Sequence, residues 1–111
     1  MFGFMDMGFD YEQRKVENTV INGATIDTAR VNDSTKPFET AVKHPNFNGH
    51  EWVIVELYDD KEEATLGHAR WVEAFTGKLP VSLTDVSTSE IKRFGVALGV
   101  MDEEDTFVNE N

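Results

Sequence analysis

The sequence predicts a small α+β domain in which two helices pack on a mostly antiparallel sheet. Three observations lead to this class: a hairpin pattern over residues 16–31, a strand pattern over 52–58, and helical spacing of apolar residues directly after that strand. The helices are predicted at about 60–76 and 88–98. A chain of 111 residues has room for one hydrophobic core.

The first half of the chain reads as a β-hairpin followed by a long connection. Within 16–31, two runs rich in β-branched residues flank Asn22 and Gly23. An Asn-Gly pair readily takes the positive φ values of a two-residue hairpin turn. Residues 32–50 carry Pro, Gly, Asn and Ser and are predicted to be mostly connection, within which 38–42 fits either a short strand or a helical turn.

Residues 52–58 have the clearest strand pattern and are predicted to form the central strand of the sheet. The run is apolar on both alternating faces, which is typical of a strand that is covered on both sides. The two faces carry Val53, Val55 and Leu57 on one side and Trp52, Ile54 and Tyr58 on the other.

A helix is predicted to begin directly after this strand. Asp59 and Asp60 are suitable N-caps, and Glu62 and Glu63 stand in the first turn, where the helix dipole favours negative charge. The apolar side of the helix carries Ala64, His68, Trp71, Val72 and Phe75. The short connection predicts a joint core of strand and helix, made of Trp52, Val53, Val55, Leu57, Trp71, Val72 and Phe75.

The remaining segments divide the chain into an arm, a domain and a tail. Ser87 and Glu90 form a capping-box pattern that starts the second predicted helix. Residues 12–100 are predicted to form the single globular domain, and the acidic residues 101–111 a solvated or loosely ordered tail. Residues 1–11 form an apolar arm, which either covers an edge of its own core or inserts into a neighbouring subunit. The candidate partner-binding residues of the arm are Phe2, Phe4, Met5, Met7 and Phe9.

The charge of the chain excludes several functional classes. With 21 acidic residues against 10 Lys and Arg, the formal net charge is −11. Nucleic-acid binders cluster cations against phosphates, so no direct nucleic-acid binding is expected. An anionic membrane surface would repel the chain, and no apolar run approaches the roughly 20 residues of a membrane span. The absence of cysteine removes disulfides and thiolate zinc sites.

Three histidines are the strongest candidates for chemistry. His44 and His50 share a loop with Glu51, which permits a metal site, although loop histidines more often face solvent or bond backbone carbonyls. His68 is predicted on the apolar side of the first helix, where a hydrogen-bonded core or interface histidine is favoured over a catalytic one. We therefore assign no catalytic, metal-binding or cofactor-binding residue and expect no required cofactor.

Other patterns that would indicate an enzyme are missing from the sequence. Adjacent carboxylates are frequent in so acidic a chain, and helix capping already explains those at 59–63. The glycines form neither a dinucleotide-binding nor a nucleotide-binding loop pattern. We expect a protein that is not an enzyme.

A series of short motifs carries a family resemblance. They include Pro37-Phe38-Glu39, His44-Pro45, the strand 52–58, Gly67-His68, Trp71-Val72 and Leu79-Pro80. Over roughly residues 11–94 the chain resembles a family of small, functionally uncharacterised proteins encoded by tailed bacteriophages, most specifically over 52–72. The resemblance implies a phage origin and a place among the genes for virion structure. It implies no catalytic or binding residue.

Two functional classes remain open at this point. In the first, the protein is a minor structural or accessory component of a tailed-phage virion, held in multiple copies on capsid, neck or tail proteins after a period in the host cytoplasm. In the second, it is an acidic phage inhibitor that mimics the charge of nucleic acid and binds a basic host protein. The apolar arm favours the first class and the charge favours the second. We expect the first, because solubility alone explains the charge.

Overall fold

The computed structural model describes residues 13–32, 34–87 and 105–110. The described part contains a four-stranded sheet, one α-helix and a separate two-stranded sheet. In chain order the elements are β1 (Lys15–Ile21), β2 (Ala24–Arg30), β3 (Phe38–Lys43), a short 3-10 turn (Asn48–His50), β4 (Val53–Tyr58), α1 (Lys61–Ala74), β5 (Ser82–Asp85) and β6 (Asp105–Val108).

The larger sheet follows the order β1-β2-β3-β4. All its strand pairs are antiparallel, which agrees with the mostly antiparallel sheet predicted for an α+β domain. The predicted hairpin is confirmed: Asn22 and Gly23 form its turn with φ values of 52° and 82°. The segment 38–42, which was open between strand and helical turn, lies within β3.

The prediction of a central strand at 52–58 is wrong, because β4 lies at the edge of the four-stranded sheet. The chain after β5 covers the outer side of this edge. There the Val86 N–H donates to the Ile54 carbonyl at 2.8 Å, and the Ile54 N–H donates to the Asp85 carboxylate at 3.3 Å. Trp52 precedes the strand and is 42% exposed, so it is not the core residue that the alternation predicts.

A β-bulge in β4 reverses the predicted faces of its second half. Thr40 pairs with Glu56 while Ala41 pairs with Ile54, so Val55 is an extra residue opposite β3. The alternation of side chains therefore shifts by one after the bulge. Tyr58 lies on the helix side and is 3% exposed, whereas Leu57, predicted for the core, is only half-buried.

The helix α1 confirms the first predicted helix with slightly shorter bounds. The Asp60 side chain accepts a hydrogen bond from the Glu63 N–H at 2.8 Å and caps the first turn. Ala64, Gly67 and His68 are buried against the sheet. The second predicted helix, at 88–98, lies outside the described residues. No helix in the described ranges combines the length and apolarity needed to cross a membrane.

The prediction of a loosely ordered tail over 101–111 is wrong for residues 105–108, which form β6. β6 pairs with β5 in antiparallel register, with Phe107 opposite Leu83. Leu83 is 2% exposed and Phe107 packs against the same core. Apolar burial of these two side chains explains why an acidic segment adds a strand here.

The core lies between α1 and the four-stranded sheet. Of the predicted core, Val53, Val55 and Phe75 are buried, and Trp71 and Val72 pack against them. The other buried members are Ala24, Ile26, Val42, Phe47 and Leu83. Phe47, which lies in the predicted connection, makes an edge-to-face contact with Phe75 at a centroid distance of 6.3 Å.

Gly67 allows the closest approach between α1 and the sheet. A Cβ at this position would overlap the ring of Tyr58. Ala is ordinarily better than Gly inside a helix by about 1 kcal/mol, but overpacking costs about 1–3 kcal/mol and more where the neighbour cannot move. We therefore expect Gly67→Ala to lower the free energy of unfolding by about 1–3 kcal/mol in urea titrations.

Gly77→Ala is the matched control, because a Cβ there would meet no heavy atom within 4 Å. This variant should stay within about 0.5 kcal/mol of the parent chain. Equal stability of the two variants would mean that α1 does not rest on Tyr58.

Candidate functional site

A continuous chain of side-chain hydrogen bonds runs through the interior beneath α1. We call it the buried polar chain and define it as Thr19, His68, Thr28, Thr40, Tyr58 and Glu56. His68 contacts Thr19 through Nε2 at 2.9 Å and Thr28 through Nδ1 at 2.7 Å. Thr28, Thr40 and Tyr58 follow through their hydroxyls at 2.5 and 2.9 Å, and the Tyr58 hydroxyl reaches Glu56 at 3.0 Å. Four of its members, Thr28, Thr40, Tyr58 and His68, are at most 3% exposed.

The strand register positions this chain. Thr28 on β2 lies directly opposite Thr40 on β3, and Thr40 lies directly opposite Glu56 on β4. These three residues therefore form a row across three strands. The bulge at Val55 turns Glu56 and Tyr58 toward the helix. At the other end of the row, His68 on α1 contacts Thr28.

The carboxylate of Glu56 sets the direction of every hydrogen bond in the chain. An ionised carboxylate only accepts, so Tyr58 donates to Glu56 and must itself accept from Thr40. Each hydroxyl has one proton to donate, so Thr40 accepts from Thr28 and Thr28 accepts from His68. The neutral imidazole of His68 therefore carries its proton on Nδ1.

The other ring nitrogen completes the assignment. With Nδ1 protonated, Nε2 of His68 is an acceptor, and the Thr19 hydroxyl donates to it. Every proton and ring nitrogen in the chain then has a partner. A buried network satisfied in this way rigidifies the fold and favours one arrangement of helix and sheet.

Burial changes the acid–base properties of two members. Removal from water, together with the nearby negative charge of Glu56, raises the pKa of Tyr58 to about 12, despite an opposing hydrogen bond from Thr40. The phenol therefore stays protonated at neutral pH. Burial also lowers the pKa of His68 below its ordinary value of 6.5, against the opposing negative charges of Glu17 and Asp27. Both shifts favour the uncharged phenol of Tyr58 and the uncharged imidazole of His68, which the directed hydrogen bonds require.

These shifts predict an acid sensitivity of the fold. Because the pKa of His68 is lower in the folded than in the unfolded protein, the unfolded protein binds a proton first as the pH falls below 6.5. The free energy of unfolding should therefore fall with pH below 6.5, until the pKa of folded His68 is passed. Urea titrations between about pH 5 and pH 7.5 measure this slope.

The matched control for this titration compares two histidines. His68→Gln should flatten the slope over this pH range, because the titrating group is gone. His50→Asn should keep the slope, because His50 is exposed and Asn tolerates its positive φ of 72°. An unchanged slope in His68→Gln would contradict the assignment of the acid sensitivity to His68.

A groove of about 370 Å³ opens where the buried polar chain reaches the surface, and we call it the Glu56 groove. It is lined by Val55, Glu56, Arg70, Trp71 and Ala74. In it, the Trp71 Nε1–H donates to Glu56 Oε1 at 2.9 Å, and Arg70 Nη2 contacts Glu56 Oε2 at 3.2 Å. Both carboxylate oxygens are thus held by donors of the protein. The carboxylate therefore anchors Trp71 and Arg70 at the wall of the groove.

The two loop histidines considered for a metal site have different surroundings. His44 is 6% exposed, packs beside Phe47 and Phe75, and accepts the Asn46 N–H at Nδ1 at 3.0 Å. His50 is exposed on the 3-10 turn. Within the described ranges, no three His, Asp or Glu side chains are grouped so that they would hold a metal ion.

Of the buried polar chain, only His68 has a hydrogen-bonded role that the sequence predicts. It is predicted as a hydrogen-bonded core or interface histidine, and its contacts agree with the core alternative. Thr19 and Thr28 lie in the predicted hairpin strands, and Thr40 lies in the segment 38–42 that fits either a strand or a helical turn. The candidate partner-binding residues Phe2, Phe4, Met5, Met7 and Phe9 lie outside the described residues.

Comparisons of the chain with protein-family models, with curated proteins and with solved structures give no match.

Proposed function

We propose that this protein is a non-enzymatic accessory component of a tailed-phage virion, attached through protein–protein contacts. The observation that carries the proposal is that the polar side chains of the interior form hydrogen bonds with other side chains of the protein. His68 and Tyr58 are joined through the threonines, and Glu56 accepts from Tyr58, Arg70 and Trp71. We therefore place the activity of the protein on its exposed surface.

The exposed apolar side chains support a role in contacts. Val81 and Val108 are 79% and 59% exposed at the end of the two-stranded sheet, where the Asn109 N–H donates to the Val81 carbonyl. Trp52 is also exposed, with the Lys43 ammonium 5.7 Å from the centre of its ring. Partly exposed aromatic side chains are frequent anchors of protein interfaces. The resemblance of residues 11–94 to a phage family gives the proposal its virion context.

The second candidate function is the acidic inhibitor of a basic host protein. The observation that favours it is the net charge of −11. A carboxylate-rich surface attracts a basic partner at long range and accelerates association at low ionic strength. The two candidates differ in where the protein is found after infection.

Deletion of residues 2–9 tests the virion proposal. The apolar arm contributes attachment area, at about 25 cal/mol per Å² of apolar surface buried, so its loss should release the protein from particles. We expect the deleted protein to keep the circular dichroism and melting temperature of the full chain. Mass spectrometry of purified particles should detect the full chain in them and miss the deleted one.

A variant with Val81→Ser and Val108→Ser is the surface-matched control for the deletion. It separates attachment by the arm from attachment by the two-stranded sheet. Recovery of the intact protein with a basic host protein, together with its absence from particles, would replace the virion proposal with the inhibitor. Unfolding of the deleted protein would assign the arm to its own core.

A further inference from the structure

Two Asn-Gly pairs occur in the sequence, and the fold places them in different surroundings. They are Asn22-Gly23 in the hairpin turn between β1 and β2, and Asn48-Gly49 in the 3-10 turn before β4. All four residues have positive φ values, between 52° and 82°. Asparagine is thermolabile, and a following glycine has no Cβ to hinder attack of its backbone nitrogen on the asparagine side chain. By sequence alone, the two pairs are equal candidates for deamidation.

The side chain of Asn22 is held against the end of α1. Its Nδ2 donates to the Phe75 carbonyl and to the Thr76 carbonyl, both at 2.7 Å, so both amide hydrogens are used. Cγ must approach the Gly23 nitrogen before a ring can close, and this movement takes Nδ2 away from both carbonyls. A Cβ at Gly23 would lie 3.5 Å from Nε2 of His44, so the turn is also crowded on that side. Ring closure at Asn22 therefore requires the turn to leave α1 first.

The side chain of Asn48 is held less firmly. Its Nδ2 donates to the Trp52 carbonyl at 3.3 Å, which is longer than either hydrogen bond of Asn22. A Cβ at Gly49 would meet no heavy atom within 4 Å, so this turn is not crowded from outside. Exposure alone would select the other pair, because Asn22 is exposed whereas Asn48 is half-buried. Hydrogen bonding and crowding favour reaction at Asn48 instead.

We propose that Asn48 is a site of spontaneous deamidation and that the contact with α1 protects Asn22 from the same reaction. The backbone nitrogen of Gly49 bonds to Cγ of Asn48, while the bond from Cγ to Nδ2 breaks. Nδ2 leaves as ammonia with the proton that the Gly49 nitrogen loses, and a succinimide ring remains. Water then adds to one ring carbonyl and cleaves its bond to the Gly49 nitrogen, which yields aspartate or isoaspartate. Water is the co-reactant of the sequence.

The product changes the surface that precedes β4. A carboxylate replaces the amide that donates to the Trp52 carbonyl, and the net charge becomes more negative than −11. Isoaspartate also adds a methylene group to the backbone of the turn. Trp52 is one of the exposed side chains that the proposed function uses for contacts. An effect on attachment therefore rests on that proposed function, whereas the deamidation itself does not.

Incubation of the full chain in ¹⁸O water at mildly alkaline pH tests the proposal. The water that opens the ring labels each deamidated residue, and mass spectrometry of proteolytic peptides then gives the rate at each pair. We expect the folded chain to deamidate about tenfold faster at Asn48 than at Asn22, because two short hydrogen bonds must break at Asn22 and one longer bond at Asn48.

The same chain unfolded in guanidinium chloride is the matched control. There the two rates should become comparable, since each asparagine then precedes an unhindered glycine. The same ratio of rates in the folded and unfolded chains, or faster reaction at Asn22 in the folded chain, would overturn the proposal. Asn48→Gln should remove the label from its peptide, because the longer side chain would have to close a larger ring. A label that persists in this peptide would assign the reaction to Asn46 and overturn the proposal.

Discussion

Phe75→Ala is expected to lower the free energy of unfolding by about 3–5 kcal/mol, because the truncation of a fully buried Phe removes its burial and leaves a cavity. Phe75 is fully buried at the end of α1 and packs against Phe47 and His44. Its backbone carbonyl also accepts from the Asn22 side chain at 2.7 Å, which ties the hairpin turn to the end of the helix. Loss of the ring leaves a cavity between these elements.

Urea titration followed by tryptophan fluorescence measures this loss. Leu66→Ala is the matched control, because Leu66 lies on the same helix and is 58% exposed. The control should stay within about 0.5 kcal/mol of the parent chain. A Phe75→Ala variant as stable as this control would show that the end of α1 does not close the core.

Thr28→Val is the second substitution with a large expected effect. Valine keeps the shape of threonine but removes the hydroxyl that accepts from His68 Nδ1 and donates to Thr40. The His68 Nδ1–H is then left without an acceptor, which costs about 1–3 kcal/mol, and Thr40 loses one of its two hydrogen bonds, which adds about 1 kcal/mol. We therefore expect Thr28→Val to lower the free energy of unfolding by about 3 kcal/mol.

Two further variants separate the hydrogen bonds from side-chain volume. Thr28→Ser keeps the hydroxyl and loses only a methyl group, so it should cost about 1 kcal/mol. Thr25→Val changes the same residue type on the same strand, on the face opposite His68, and should be nearly neutral. If Thr28→Ser were as damaging as Thr28→Val, packing rather than the hydrogen bonds would carry the effect.

Local signals in the sequence predict several elements of this fold correctly. Asn22-Gly23 places the hairpin turn, and Asp60 with Glu63 places the start of α1. These features depend on neighbouring residues alone, since a turn or a cap is completed within four residues. They could be read without knowledge of the tertiary structure.

The errors concern features that depend on distant residues. The position of 52–58 at the sheet edge depends on β3 pairing on one side and on Val86 approaching from the other. The bulge at Val55 depends on the register with β3, and it moves Tyr58 into the core. Alternation within one strand contains neither piece of information.

The buried polar chain could be predicted only in part, for the same reason. His68 stands out because a titratable residue on an apolar helix side requires a partner. The partners are threonines on β1, β2 and β3, and their side-by-side arrangement exists only after the strands pair. Threonine is common in strands, so no spacing along the sequence marks these three.

The protonation state of the His68 ring shows whether the polar interior forms one directed chain of hydrogen bonds. Nitrogen-15 NMR of the imidazole at neutral pH distinguishes the two neutral tautomers from the imidazolium ion. The directed chain requires a neutral ring with the proton on Nδ1, donated to Thr28, and an unprotonated Nε2 that accepts from Thr19. A ring protonated on Nε2, or an imidazolium ion at neutral pH, would contradict it.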